Sequence, residues 1–399
     1  MKIRRSLNTV TFLAALLLLT ASIAWPSVNA QNPGISENKI IIGSVVPASG
    51  PLAEMGAAIK AVTTAYFAEV NAQGGLYGRR IEIKFAETGA TPAATRDNVD
   101  RLVKDEQVFA MSGPFIAGAD KEFTALVVQN KVPVVGPFTL FPQTSVPLNQ
   151  QIFYLLGGMD EQVRAAINFI AGKPELKSSH IAVVHPSGGI NAGVFEAIAD
   201  QQKRAGLNQA RNYDYQAGEF DVAGTIKLRE AKIDLVFFMG NTEELLSFLS
   251  EADRLGFFPR IFLPGGSAGR RIYDAPVGFD GKVFYTFPTS PADQTPEGSA
   301  EFRSLAEKYK LPSHHVAAQI SAYSAAKILV EALRRAGKDV TRERLIQALE
   351  GFSNYSTGLS PAVTYGPNRR IGSRGSYMVG VDLKNKQLVP VSGWIEVEK

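Results

Sequence analysis

The feature that most constrains this chain is an alternation of short apolar runs with amphipathic segments, which starts at Lys39 and recurs through most of the sequence. Apolar runs of that length read as strands of a parallel sheet, and the segments between them as the crossover helices that parallel pairing requires. Ile40 to Val46 reads as the first strand. Glu54 to Asn71 then carries Ile59, Val62, Tyr66 and Val70 at helical spacing, and Gly74-Gly75 stops it. Arg80 to Ala86 is the next strand, and Thr91-Pro92 opens a helix with a capping hydroxyl and a first-turn proline. Val108 to Ser112 leads into a helix over Ala117 to Asn130, and Val132 to Val135 leads into the loop around Gly136-Pro137-Phe138-Thr139.

A second series of the same kind starts at Gln151, with strands at Ile152 to Leu155, His180 to His185, Asp234 to Met239 and Arg260 to Leu263. Within it, Asn241 to Leu255 sets Leu245, Phe248, Leu249, Ala252 and Leu255 on one stripe, with Asn241 and Glu244 spaced as a capping box. The chain has 399 residues, more than one core holds, so two domains are expected. Lys282 to Phe287 reads as a strand before a Pro-rich connection, Pro288 to Pro296. Helices follow over Pro296 to Tyr309, His315 to Arg335 and Thr341 to Leu349, and the tail, Ser376 to Val381 with Gln387 to Val397, reads as a β-ribbon. Helices that return after a completed second unit imply more than one crossing between units. The fold class expected is α/β, with two doubly wound, Rossmann-like lobes.

Lys2, Arg4 and Arg5 precede an apolar stretch from Val10 to Leu19 and the small-residue site Val28-Asn29-Ala30, the pattern of a cleavable secretory signal over residues 1–30. The apolar run is shorter than the roughly 20 residues of a membrane span. Its removal leaves 39 basic against 38 acidic side chains, and no basic block remains to serve as a nucleic-acid footprint. The sequence contains no cysteine, which excludes thiolate metal sites and a lipid-modified cysteine at the cleavage site. A diffusible periplasmic protein, without membrane insertion once the signal is gone, is the reading that follows.

Gly265-Gly266-Ser267-Ala268-Gly269 follows a strand and matches the G-x-S-x-G nucleophile elbow, with Asp274 or Asp280 and His314 or His315 in triad order. The segment after it reaches Pro276 too soon for the long helix of an elbow, so a serine hydrolase using Ser267 is the remote reading. His314-His315 and the pair His180 and His185 lack the spacing of three or four residues that places two rings on one helix face, and no metal site is assigned. No phosphate-binding glycine motif follows any expected strand, so no nucleotide or other cofactor is expected. What remains are loops at strand carboxyl ends, where open α/β sheets hold ligands: Pro47 to Met55, Gly113 to Gly118, Pro137 to Phe141, Pro186 to Gly193, Gly240 to Thr242 and Pro264 to Gly269. Any one of these is unremarkable as a strand-to-helix connection; their number argues for a cleft.

Lys39-Ile40-Ile41-Ile42-Gly43, Ser49-Gly50-Pro51, and Asn71-Ala72-Gln73-Gly74-Gly75-Leu76-Tyr77-Gly78-Arg79-Arg80-Ile81 resemble the opening of the periplasmic leucine/isoleucine/valine-type binding proteins, the class I receptors of branched-chain amino-acid ABC transporters. The similarity runs on through Ile181 to Val184, Phe220-Asp221 and Asp234 to Phe238. It implies no enzyme but a receptor that closes over a small molecule through a three-segment hinge and docks on an inner-membrane ABC permease. A ligand sensor with the same fold is the alternative. It further implies lobe 1 at residues 31–157 and 287–360 and lobe 2 at residues 158–286 and 361–399.

Carried over by position, the resemblance puts Ser49, Met55, Phe115, Ala117, Phe138, Thr139, Leu140, Ile190, Asn241, Gly266 and Ser267 at the ligand. Ala117 stands where amino-acid binders carry a serine, Ile190 where they carry an aromatic residue, and Gly266 where an acidic residue pairs with the ligand's ammonium. Phe138, Thr139 and Leu140 are left with backbone donors for a carboxylate. A buried ammonium without its partner costs several kcal/mol, so the ligand expected is a carboxylate or other small organic compound with a hydrophobic or aromatic body, not an α-amino acid.

Overall fold

The computed structural model describes residues 33–144, 146–188, 192–218, 220 and 222–397; the signal segment read from the sequence lies outside them. Strands β1 (Lys39–Val46), β2 (Arg80–Glu87), β3 (Ala110–Ser112), β4 (Val134–Val135) and β5 (Ile152–Leu156), with the late strand β11 (Ile371–Ser373), form one parallel sheet in the order β11-β5-β4-β3-β1-β2. In β1, Ile40, Ile42 and Val46 enter one core and Val45 the other, so both faces are buried and the strand reads as continuously apolar.

Helices α1 (Ala53–Ala72) and α9 (Val316–Ala336) cover the first face. Helices α2 (Pro92–Lys104) and α3 (Asp120–Gln129) cover the second. The close approach of α9 depends on Gly136, where φ is 65° and an added Cβ would lie 2.4 Å from the Ala325 side chain. Helix α10 (Arg342–Glu350) is tied to the sheet through the buried Arg342, whose guanidinium donates to the carbonyls of Val108, Phe109 and Asn130 at 2.7–2.9 Å.

The second sheet is built from β6 (Ile181–Pro186), β7 (Arg211–Tyr215), β8 (Leu235–Phe238), β9 (Arg260–Pro264), β10 (Val283–Phe287), β12 (Gly375–Asp382), β13 (Gln387–Pro390) and β14 (Ile395–Glu396). Its order is β13-β12-β10-β9-β8-β6-β7, with β14 beside β12. Helices α4 (Met159–Ala171) and α5 (Ala192–Ala205) pack on one face, and α6 (Val222–Glu230) and α7 (Thr242–Arg254) on the other. The remaining helix, α8 (Pro296–Tyr309), lies against α1 through Leu305. Two α/β lobes result, and the tail forms the expected antiparallel ribbon, with β12 paired to both β10 and β13.

The chain passes between the sheets three times: after β5, between β10 and α8, and between Ser373 and Gly375. Three details differ from the sequence reading. Ile152 to Leu155, read as opening the second series, completes the first sheet as β5. Residues 361–399 do not all go with the second sheet, because β11 pairs with β5 and the chain changes sheets only at Arg374. A three-residue strand shows no period in sequence, so its sheet is set by its partner alone. Strand β7 is absent from the sequence reading for a similar reason, since Arg211-Asn212-Tyr213-Asp214-Tyr215 is a polar edge strand.

The crossings are bound to one another by polar contacts. Gly157 N donates to Ser373 O at 3.1 Å, and Tyr377, just past the third crossing, donates its hydroxyl to Asp293 of the second. Glu161, at the start of α4, is 2% exposed and lies 3.2 Å from Arg374. Burial pushes the Glu161 carboxyl above the usual range while the Arg374 charge opposes it, and Glu161 Oε2 has no hydrogen-bond partner among the described residues. A buried pair this incompletely satisfied contributes little net stability, but removal of one partner strands the other. Arg374→Met alone should therefore lower unfolding stability by about 3 kcal/mol, and Glu161→Met combined with Arg374→Met should recover most of that loss, as read by urea denaturation.

Candidate functional site

Each sheet reverses its winding once, and the reversal sets a crevice at the strand carboxyl ends. In the first sheet β2 lies on one side of β1 and β3 on the other, so the loops that leave β1 and β3 diverge and open a crevice at the strand carboxyl ends. A recess of about 400 Å³ occupies that place. It is formed by the loop after β1 (Ser49 to Leu52), the loop after β2 (Thr88 to Thr91) and the loop after β3 (Phe115 to Ala119), and none of its lining side chains is charged. The second sheet repeats the reversal, with β7 and β8 on opposite sides of β6. Its diverging loops are those from Ser187 and from Met239 to Asn241.

The expected ligand residues are distributed as follows. Ser49, Phe115 and Ala117 share the recess of the first lobe, where Ser49 Oγ donates to Glu87 Oε1 at 2.7 Å. Phe115 stacks on Phe138 with ring centroids 6.3 Å apart, and backbone bonds from Ile116 to Phe138 O and from Phe138 N to Pro114 O join their loops. Phe138 N is thus already paired, so this one of the three backbone donors expected for a carboxylate is spent within the lobe. The Thr139 hydroxyl donates to Asp120 and accepts from Phe141 N at 2.9 Å. Burial holds the Asp120 carboxyl above its usual range against the bonds from Thr139 and Gly118. Met55 is half-buried against the first-lobe core.

Leu140 is exposed, and its carbonyl accepts from Met159 N at 2.8 Å, at the first crossing. Its side chain is the nearest neighbour of a Cβ placed on Gly266, 4.0 Å away, so the β4 loop of one lobe meets the β9 loop of the other there. Ser267 lies in a single turn and donates to Pro264 O at 2.7 Å. The next segment, Arg270–Asp274, is another short turn, and Asp274 pairs with Arg271 at 3.6 Å, which leaves the elbow geometry unformed. Ile190 lies outside the described residues. Among the other histidines, His185 is buried and bonded to Asn212 and Pro186 O, both at 2.9 Å.

Asn241 caps α7 in the full capping box that its spacing with Glu244 predicts. The larger part of that arrangement is absent from the sequence reading: Glu244 also accepts from Tyr215 Oη at 2.9 Å and Gly218 N at 2.6 Å, which draws the β7 loop onto the β8 loop. Burial pushes the Glu244 carboxyl up, but the donors Asn241 N, Gly218 N and Tyr215 outweigh it and hold the pKa below the usual glutamate range. No local signal connects residues this far apart in sequence. A second cavity, of about 700 Å³, runs between the lobes beside the first crossing and is lined by charged groups, among them Asp120, Asp160, Arg164 and Glu196.

Residues 39–387 match the family model described as periplasmic binding protein. This chain belongs to the periplasmic binding protein family. The Leu/Ile/Val-binding protein BraC3 of Rhizobium johnstonii is 23% identical over 82% of this chain and 87% of its own length. A Pseudomonas aeruginosa protein named as binding leucine, isoleucine, valine, threonine and alanine is also 23% identical, over 79% of this chain and 83% of its own. Two solved structures share the fold at TM-score 0.72 and 19% identity: a fatty acid ABC transporter substrate-binding protein from Thermomonospora curvata (92% of this chain, 95% of that one) and a branched-chain amino-acid transporter protein from Thermus thermophilus with bound valine (91% and 98%).

In this periplasmic binding protein the Glu244 carboxylate contributes stability above the ordinary glutamate range, and that contribution is lost as pH falls through its depressed pKa. Glu244→Gln should destabilise the protein by about 1–2 kcal/mol near neutral pH. The gap between parent and variant should narrow as pH drops below 4, as measured by denaturant titration at several pH values.

Proposed function

We propose that this chain is the periplasmic receptor of an ABC importer, delivering to an inner-membrane permease a small organic ligand that carries no ammonium group. The observation that carries this reading is the chemistry of the recess at the first switch point, whose lining from Ser49 to Ala119 is neutral, set against the open position at Gly266 on the opposing loop. By the sequence resemblance Gly266 stands where amino-acid binders place the carboxylate that pairs with the ammonium. In the second lobe Glu244 is engaged by three donors and Glu243 by Arg271, while Asp120, Asp160 and Glu196 line the cavity beside the first crossing and not the recess.

The Phe115 and Phe138 stack supports a guest with a flat or apolar body. The fold itself is compatible with both chemistries, since a similar structure is named for fatty acid and another holds valine. Hinge closure around the ligand is the established behaviour of periplasmic binding proteins, and the three crossings give this chain the connections for it. Enclosure supplies the binding free energy by removing apolar surface from water at about 25 cal/mol per Å², with no bond made or broken.

A thermal-shift screen of the protein against L-leucine, L-valine, aromatic carboxylates, short fatty acids and amides tests the reading. A true ligand at a hundredfold excess over Kd stabilises by about 2.7 kcal/mol. Stabilisation is expected from a carboxylate or aromatic compound and none from leucine or valine; a leucine or valine shift overturns the ligand class. Gly266→Glu should weaken binding of an anionic ligand by about a hundredfold, because it sets a carboxylate against the guest.

A further inference from the structure

His314 and His315 would point apart as neighbours on a helix, but they do not lie on one. His315 is the residue before α9 and has φ 53° and ψ 34°, in the left-handed region, and this turn brings the two imidazoles edge to face with centroids 5.3 Å apart. Glu54, from the second residue of α1, comes to the same spot, and its Oε2 lies 3.9 Å from His315 Nε2. One donor atom from each of Glu54, His314 and His315 lies within 4.8 Å of the other two.

We propose that Glu54, His314 and His315 form a surface site for a divalent transition metal of the zinc class, at the rim of the first lobe. Ligands of one tetrahedral zinc, at about 2.0–2.1 Å from the metal, stand about 3.3 Å from each other, so exposed side chains need only a small rotation to converge. Two imidazoles and one carboxylate suit zinc, nickel or copper and leave a position for water, whereas magnesium and calcium require oxygen ligands. Among the described residues no hydrogen bond occupies any of the three donor groups.

The backbone beneath the donors is held in place. Gln319 is 1% exposed, and its amide nitrogen donates to Pro312 O at 2.7 Å and His314 O at 2.8 Å, which fixes the loop that carries both histidines. On the other side Gly56 rests against Pro47 O so closely that a Cβ would overlap it, which seats the first turn of α1. Bound metal would therefore link the starts of α1 and α9, the two helices that cover one face of the first sheet. Glu54 lies two residues after Leu52 of the switch-point recess and is not among the residues that line it.

Isothermal titration of the untagged, chelator-treated protein with ZnCl2 tests this without reference to the solute. One equivalent of zinc at micromolar or tighter affinity is expected, with MgCl2 giving no heat. His314→Ala combined with His315→Ala, and Glu54→Gln separately, should each weaken zinc binding more than tenfold. All three side chains are exposed, and unchanged circular dichroism would show the variants folded. Absence of zinc binding by the parent protein, or stoichiometric binding that survives the double histidine substitution, overturns the proposal.

Discussion

The reversal of winding beside the first strand of each sheet is the constraint on which the rest depends. A parallel sheet must send every connection over one of its faces, and where the direction of winding changes, two adjacent loops depart to opposite sides. No helix covers the opening between them. In the first lobe that opening lies between β1 and β3, and the recess found there is lined by the loops leaving them together with the loop after β2. The second lobe repeats the device between β6 and β8. The residues that line such an opening come from loops and not from the strands and helices that build the sheet, so its chemistry can change while the fold is kept.

The two openings belong to one chain that passes between the lobes three times. Each crossing leaves one sheet at a strand end and enters the other lobe, so the connections between the lobes are short segments after β5, after β10 and at Arg374. The polar contacts among these segments, Gly157 with Ser373, Tyr377 with Asp293 and Glu161 with Arg374, tie the segments to one another. The incompletely satisfied Glu161 and Arg374 pair suits that place. A pair that adds little net stability yet is costly to split holds the first and third crossings to each other.

Much of the fold was legible in the sequence because burial on both faces writes itself directly into composition. Strands β1, β6, β8 and β9 show as apolar runs, and the start of α7 shows as a capping box. Strands β7 and β11 were not legible, the first because an edge strand is polar and the second because three residues carry no period. At the site, position after a strand end was enough to bring Ser49, Phe115 and Ala117 into one recess. The same reading left Phe138 N as a donor, which its bond to Pro114 removes, and discarded His314-His315 on a helical geometry that the left-handed His315 does not have.

What the sequence by itself determined is the alternation of buried strands and amphipathic helices, since burial acts on each residue locally and leaves a period that needs no partner to be read. Only the tertiary structure decided which lobe takes β11, which donors at the strand ends are already spent, and that Glu54 meets two histidines from the other end of the chain. Those are pairings between residues far apart along the chain. A hydrogen bond or a shared ligand position depends on the partner's coordinates, and no property of either residue alone encodes them.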